Sequence, residues 1–164
     1  MDERAATQPD HSEVIAFPPV IPVAGFLLGV LLNALWPVAS AASPPLLAAA
    51  RLAGGAIVAV GAAGFAWMVV TMRKAGTPIH NAKTPTALVE EGPSRYTRNP
   101  MYLFGATAYA GLALLLVQPW SLALLPAVVA VTHYGIVLPE EAYLRRKFGN
   151  AYSQYQARVP RWLW

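Results

Sequence analysis

The residues best suited to chemistry begin with a polar octet, RYTRNPMY at 95–102, which opens a long uncharged stretch. The residue before a proline avoids helical backbone angles, asparagine favours the N-cap, and proline favours the first helical turn. The step Asn99-Pro100 therefore predicts the start of a helix, with Asn99 as its cap. An exposed helix N-terminus beside Arg95 and Arg98 would suit an anionic group of a ligand. The residues leave open the alternative that the two arginines only anchor the chain among lipid phosphates.

Two adjacent carboxylates, Glu140 and Glu141, follow one apolar hairpin later. If that hairpin crosses a membrane twice, the pair returns to the face on which Arg98 lies. Such carboxylates could bind the amine or the ribose hydroxyls of a ligand. The alternative is that they stabilise the N-terminus of a tail helix and form an ion pair with Arg98.

His133 lies within an apolar segment, where an ionisable residue is a functional candidate. The ordinary interpretation is a neutral histidine bonded to a backbone carbonyl. The three histidines lack the spacing of metal ligands and the chain has no cysteine, so we predict no metal site and no disulfide.

The composition indicates that lipid surrounds the elements that hold these residues. Only 12% of the 164 residues are charged and 56% are hydrophobic, whereas soluble domains carry about 25% charged residues. Three segments contain no Asp, Glu, Lys or Arg, namely 14–50, 52–72 and 99–139. One crossing takes about 20 apolar residues, and Gln118-Pro119 predicts a break in the last segment. We therefore predict an all-α polytopic membrane protein with about four transmembrane helices, at 19–38, 47–72, 100–117 and 120–138.

The distribution of charge predicts the orientation. Ten of the twelve basic residues lie in the loop 73–99 and in the tail after residue 138. The positive-inside rule then places this loop and both termini in the cytoplasm, at a cytoplasmic (inner) membrane. We attribute the basic character to topology and predict no nucleic-acid partner, because no base-stacking or groove-reading motif accompanies it.

The remaining segments complete the predicted organisation. Residues 1–16 are acidic and contain proline, which predicts a disordered tail before a single domain at 17–164. In the tail, an amphipathic helix at 139–158 is predicted from an apolar stripe, and Gly149-Asn150 could interrupt it. The stripe consists of Leu144, Phe148, Tyr152 and Tyr155. Helix 2 is rich in small residues, which allow close packing of membrane helices.

Two motifs carry a resemblance to a known family. TALVEEGPSRYTRNPMYL at 86–103, a hydrophobic hairpin, and PEEAYLRRKFGNAYSQYQARVPRWL at 139–163 resemble the isoprenylcysteine carboxyl methyltransferase family. That group of small integral-membrane methyltransferases also includes phospholipid N-methyltransferases. Two features depart from the family pattern. Asn99 stands where the pattern often has histidine, and 136–139 lacks the arginine that precedes the two glutamates in eukaryotic members.

The resemblance implies S-adenosylmethionine as cofactor, bound in a pocket that faces the cytoplasm. It also implies Arg98 and Glu140 as catalytic residues. The cofactor-binding residues implied by position are Thr86, Leu88, Val89, Ser94, Arg98, Asn99, Pro100, Tyr102, Glu140 and Glu141.

The predicted function is an S-adenosylmethionine-dependent membrane methyltransferase that acts on an amphiphilic or lipid-linked acceptor. The resemblance favours O-methylation of a carboxylate. Two alternatives stay open from the sequence: N-methylation of a phospholipid or another amine, and a non-catalytic membrane scaffold.

Overall fold

The computed structural model describes residue 15 and residues 17–38, 42–76 and 88–163. These residues form helices and their connections, with no strand among them. Within the described residues, six α-helices follow one another, together with a 3-10 turn at Gly92–Arg95 and a π-helical turn at His133–Val137. The α-helices are α1 (Val20–Leu35), α2 (Pro44–Lys74), α3 (Pro100–Leu115), α4 (Pro119–Thr132), α5 (Leu138–Phe148) and α6 (Asn150–Arg158).

Small residues bring α2 and α3 into close contact, as the sequence predicts. A Cβ atom added to Gly61 would lie 2.8 Å from the backbone nitrogen of Ala108. One added to Gly111 would lie 2.6 Å from the backbone nitrogen of Val58. Because backbone atoms cannot yield as a flexible side chain can, these glycines allow the two helices to approach.

Helix α1 packs on α4 through a similar contact. Gly29 lies against Ser121, whose hydroxyl donates a hydrogen bond to the Phe26 carbonyl at 3.1 Å. The hydroxyl of Tyr109 on α3 donates to the Ser121 carbonyl at 3.0 Å. One buried serine thus connects three helices, which fixes the spacing of α1, α3 and α4.

The predicted break at Gln118-Pro119 is confirmed, since α3 ends at Leu115 and α4 begins at Pro119. In the turn between them Val117 has φ 53°, a left-handed conformation that is uncommon for a β-branched residue. Proline at the start of α4 costs no hydrogen bond, because the first amides of a helix have no partner within it.

In the part of the chain that the structure describes, two helical stretches, Pro44–Lys74 and Pro119–Phe148, are long and apolar enough to cross a membrane. Only 22% of the most apolar part of the first is buried inside the protein, and 28% of the second. Long apolar helices with so little burial are unlike the core helices of a soluble protein. Val20–Leu35 and Pro100–Leu115 are apolar but shorter. The all-α class is confirmed, and four crossings stay a prediction.

A fourth span ending at 138 and a tail helix starting at 139 were predicted, and α5 begins at Leu138 with proline in its first turn. The two are joined directly, since α4, the π-helical turn and α5 form one continuous helical stretch from Pro119 to Phe148. Pro139 has no N–H with which to bond the Gly135 carbonyl one turn earlier. That carbonyl accepts the backbone N–H of Ile15 at 3.2 Å instead. The contact compensates for the proline, so the helix continues through it.

The break predicted at Gly149-Asn150 is confirmed, with Gly149 at φ 53° between α5 and α6. The apolar stripe therefore extends over two helices rather than one. Tyr152, Tyr155 and Val159 form a buried cluster. Leu88, Leu144 and Phe148 pack against that cluster, which holds the tail against the segment that precedes α3.

Candidate active site

The start of α3 lies where predicted, at Pro100, but the role predicted for the Asn99 side chain is wrong. Asn99 makes no side-chain cap of α3. Its Nδ2 donates to Glu141 Oε1 at 3.2 Å and to the Arg161 carbonyl at 3.2 Å. Two acceptors outside the helix thus engage the amide, and the side chain connects α3 to α5 and to the tail.

The N-terminus of α3 was also predicted to be exposed, which is wrong. Asn99 is only 6% exposed and Pro100 is buried. The tail covers them, because the backbone N–H of Arg98 donates to the Pro160 carbonyl at 3.0 Å. The Thr97 hydroxyl donates to the Arg161 carbonyl at 2.9 Å. The chain end therefore closes over the start of α3.

Glu141 is surrounded by cationic and amide donors. Its Oε1 accepts Arg161 Nε at 3.1 Å, and its Oε2 accepts a second Arg161 nitrogen at 3.0 Å. Arg98 lies 3.6 Å from the same Oε2, which is the ion pair that the sequence left open. We call Arg98, Asn99, Glu141 and Arg161 the Glu141 cluster. With two guanidinium groups and one carboxylate, the cluster carries a net charge of +1.

Arg98 has an unsatisfied donor in this cluster. Its side chain is 11% exposed, and its buried Nε has no hydrogen-bond partner among the residues described. A buried donor without a partner costs free energy, more when the group is charged. Such a donor in a positively charged site is suited to binding an anionic ligand group, which would accept its hydrogen bond.

Glu140 has a different environment, although it adjoins Glu141 in the chain. The Tyr102 hydroxyl donates to its Oε1 at 2.9 Å. Burial disfavours the charged carboxylate and raises the pKa of Glu140 to about 7, and the Tyr102 hydrogen bond opposes this increase. Glu140 lies beyond Leu138, where the apolar stretch ends. A carboxyl with this pKa can both accept and release a proton near neutral pH.

The other predicted site residues belong to the segment before α3. The Ser94 carbonyl accepts a hydrogen bond from the Tyr155 hydroxyl at 2.7 Å, which connects this segment to α6. Leu88 packs on the tyrosine cluster, and Val89 is half-buried in a connection without regular structure. Thr86 lies outside the described residues.

His133 stands apart from the Glu141 cluster in the contacts that the structure records. Its ring lies 5.9 Å from the ring of Trp162, and its buried Nδ1 has no hydrogen-bond partner within the described part of the chain. The expected bond from the histidine ring to a backbone carbonyl is therefore not made through Nδ1. Among the same residues, no group of three or more His, Asp or Glu side chains could hold a metal ion.

Arg161 was not predicted as a site residue, because its charge was interpreted only as part of the basic tail that indicates topology. Its hydrogen bonds with Glu141 raise the pKa of the Arg161 guanidinium and so keep it charged. Tyr155 was assigned only to the apolar stripe, yet its hydroxyl connects α6 to Ser94. Burial raises the pKa of Tyr155, which keeps the hydroxyl a donor. Spacing could not reveal either residue, since their partners lie 20 and 61 positions away.

A comparison with known proteins identifies a family for this chain. Residues 49–151 match the family model described as phospholipid methyltransferase. No curated protein and no solved structure matches the chain. The matched segment includes most of α2 and all of α3, α4 and α5, with both glutamates, but ends before Arg161. The predicted relation to small membrane methyltransferases is confirmed, whereas the narrower relation to isoprenylcysteine carboxyl methyltransferases stays a prediction. Since the match covers more than half of the chain, the protein belongs to the phospholipid methyltransferase family of membrane methyltransferases.

Proposed function

We propose that this protein is a four-span membrane enzyme that uses S-adenosylmethionine to methylate the amine of an amphiphilic lipid. The observation that carries the proposal is the pairing of two features. A buried arginine with an unused Nε lies beside Glu141, and a buried carboxyl with a pKa of about 7 lies in the next residue. The first suits an anionic cofactor group, and the second suits an acceptor that must lose a proton.

The proposed topology uses all four apolar helices of one domain at 17–164. The two helices of 16 residues would each extend about 24 Å at about 1.5 Å per residue, short of a hydrocarbon core of roughly 30 Å. Each packs beside a longer helix, and bilayers adapt to a short span by local thinning. The basic loop and tail then lie at the cytoplasmic surface, with the Glu141 cluster.

The Glu141 cluster fits the carboxylate of S-adenosylmethionine. Arg98 Nε would donate to that carboxylate, and the net positive charge of the cluster would favour it over a neutral group. Arg161 and Asn99 hold Glu141, which in turn keeps the Arg98 side chain in place. When bound, S-adenosylmethionine supplies a methyl group activated by a sulfonium. The tail residues that close over α3 exclude water from this part of the site.

Glu140 would receive the proton of an ammonium acceptor. An ammonium nitrogen has no lone pair for attack, so the acceptor needs a group that takes the proton. Glu140 has the required pKa, and Tyr102 orients its carboxyl. Holding the two reactants in line would supply most of the rate increase, as positioning can contribute roughly 7–11 kcal/mol.

The second candidate is O-methylation of a lipid-linked carboxylate, which the two sequence motifs favour. A carboxylate acceptor is already a nucleophile and needs no proton acceptor. Radiolabelled S-adenosylmethionine incubated with a membrane lipid extract separates the two candidates, because base treatment hydrolyses methyl esters and leaves methylamines intact. Label that resists base supports N-methylation, and label released as methanol supports the ester.

Calorimetry on the purified protein tests the proposed cofactor site. We expect Arg98→Ala to weaken S-adenosylmethionine binding by about 1.5–3 kcal/mol, the range for a hydrogen bond to a charged group. Arg95→Ala is the matched control, since Arg95 is exposed and nearby in the chain. A folded wild-type protein that binds no S-adenosylmethionine would contradict the enzyme and favour the scaffold. Equal affinity in Arg98→Ala and Arg95→Ala would contradict the role of Arg98.

A further inference from the structure

An apolar groove lies between α1, α3 and α4. Its volume is about 560 Å³, within the range of about 300–1,000 Å³ that is typical of small-molecule sites. Its lining is almost entirely hydrocarbon, with Gly105 and Tyr109 on α3 and Leu125 and Val128 on α4. Phe17 near the N-terminus and Trp162 in the tail also contribute, so segments from both ends of the chain line the groove.

The groove leads to the candidate active site. Tyr102 lines it, and the hydroxyl of the same residue donates to Glu140 at 2.9 Å. Tyr109 lies seven residues further along α3, which at about 1.5 Å per residue places it about 10 Å deeper. An elongated apolar molecule in the groove would therefore present one end to the carboxyl of Glu140.

Gly105 keeps part of this groove open. A Cβ atom added to Gly105 would meet nothing within 4 Å, whereas one added to Gly61 or Gly111 would meet backbone within 3 Å. Close helix packing thus explains the latter two glycines and does not explain Gly105. Glycine in a helix costs up to about 1 kcal/mol relative to alanine. The absence of a side chain at position 105 is therefore better explained by the space that it leaves in the groove than by helix stability.

We propose that this groove binds one hydrocarbon chain of the methyl acceptor and that Gly105 determines which chains fit. This inference rests on the proposed lipid methylation and extends it to the specificity of the enzyme. The chemistry of the occupant follows from the two ends of the groove. A hydrocarbon lining excludes a polar or charged ligand portion, while the Tyr102–Glu140 pair at one end suits a cationic headgroup. A single-chain amine amphiphile has both parts in this order.

Kinetics with lysophosphatidylethanolamines of short, medium and long acyl chain test the inference, using Gly105→Phe and the matched control Ala56→Phe on an exposed part of α2. We expect Gly105→Phe to raise KM for the long chain about tenfold, equivalent to losing the burial of roughly two methylene groups. KM for the short chain and the affinity for S-adenosylmethionine should not change. Ala56→Phe should resemble the wild type. If lipids are methylated and Gly105→Phe does not change the dependence on chain length, the proposed role of the groove is contradicted. The proposed function would still stand.

Photocrosslinking reports on the groove without requiring activity. A lysophosphatidylethanolamine with a diazirine near the end of its chain should label α3 and α4 at residues that line the groove, and Gly105→Phe should abolish this labelling. Val129→Phe, which fills the groove from the α4 wall, should do the same, and replaces Gly105→Phe if the latter does not fold. Labelling that lies only elsewhere in the protein would overturn the inference. Labelling of the groove in a protein that methylates no lipid would instead contradict the proposed function.

Discussion

Glu140 and Glu141 are consecutive residues of α5, yet they belong to two different regions of the molecule. Glu141 lies in the Glu141 cluster, where Arg161, Arg98 and Asn99 stabilise its charge. Glu140 bonds Tyr102 at the end of the apolar groove, where burial raises its pKa to about 7. The same functional group is thus paired with guanidinium groups in one region and buried beside a phenol hydroxyl in the other. Successive residues of a helix point about 100° apart, which is sufficient to separate the two environments.

Of the substitutions that test this difference between the two glutamates, Glu140→Gln should have the largest effect. It keeps the shape of the side chain and removes its ability to accept a proton. We expect the methylation rate to fall by about 10²–10⁴-fold, the usual contribution of general base catalysis. Affinity for S-adenosylmethionine measured by calorimetry should change little. Glu91→Gln, at an exposed acid, is the control. A rate close to that of the wild type would show that Glu140 is not the proton acceptor.

Glu141→Ala should mainly affect stability. It removes the only carboxylate of the Glu141 cluster, so that the guanidinium groups of Arg98 and Arg161 both lose their counterion within the cluster. Removing one partner of a buried pair costs about 3–5 kcal/mol, and the partial exposure of Arg161 places our expectation near the lower value. Thermal unfolding in detergent, followed by circular dichroism, measures the loss.

The exposed pair Arg158–Glu90 provides the control for Glu141→Ala. Surface ion pairs contribute roughly 0–1 kcal/mol, so Arg158→Ala should have little effect on the unfolding temperature. Similar losses in the two variants would contradict the structural role that we assign to the Glu141 cluster.

Arg161→Lys should have a smaller effect. Lysine keeps the charge but cannot present two parallel donors to one carboxylate, as Arg161 does. We expect a loss of about 1 kcal/mol, the net value of one hydrogen bond, confined to the contact between the tail and α3. Hydrogen exchange at the amide of Arg98, which bonds the Pro160 carbonyl, should accelerate. Arg158→Lys should leave that exchange rate unchanged. If the amide of Arg98 exchanges as slowly in Arg161→Lys as in the wild type, the two parallel hydrogen bonds from Arg161 to Glu141 do not hold the tail.

Tyr102→Phe should change the pH dependence of the reaction more than its maximum rate. Wild-type activity should increase as pH rises through about 7, because the ionised form of Glu140 accepts the proton and its pKa is about 7. The Tyr102 hydrogen bond lowers that pKa, so its removal should shift the midpoint to higher pH by up to about one unit.

Tyr109→Phe is the matched control for Tyr102→Phe, since Tyr109 lines the same groove but donates to the Ser121 carbonyl. Its activity profile should follow that of the wild type. A midpoint that moves equally in both variants would mean that the groove, and not the hydrogen bond to Glu140, sets the pH dependence.

Local sequence predicted much of the helical architecture. The Asn99-Pro100 and Gln118-Pro119 steps mark helix starts because proline lacks an N–H that the first turn does not need. Gly149 marks a break because its positive φ disfavours other residues. Pro139 likewise lies in the first turn of α5, but α5 continues directly from α4, because the N–H of Ile15 bonds the Gly135 carbonyl that Pro139 cannot reach. Local sequence does not reveal such a contact from a distant segment.

The candidate site was predicted in part. Both motifs were recognised, and the structure brings Arg98, Asn99 and Glu141 together, along with Tyr102 and Glu140. Asn99 was expected to cap α3 and instead donates to Glu141 and to the tail. Propensity describes what a side chain does in the absence of other partners, and here the tail supplied stronger ones.

The sequence by itself determined the helical class, the apolar character of the helices and the residue types at the N-terminus of α3. These properties follow from neighbours within a few positions, such as prolines, glycines and uncharged runs. Only the tertiary structure decided which glutamate is neutralised by arginine, which one is left with a raised pKa, and where Gly105 opens a groove. Those outcomes depend on Arg161, Tyr102 and three helices that meet through contacts distant in the chain, and no local pattern encodes such distances.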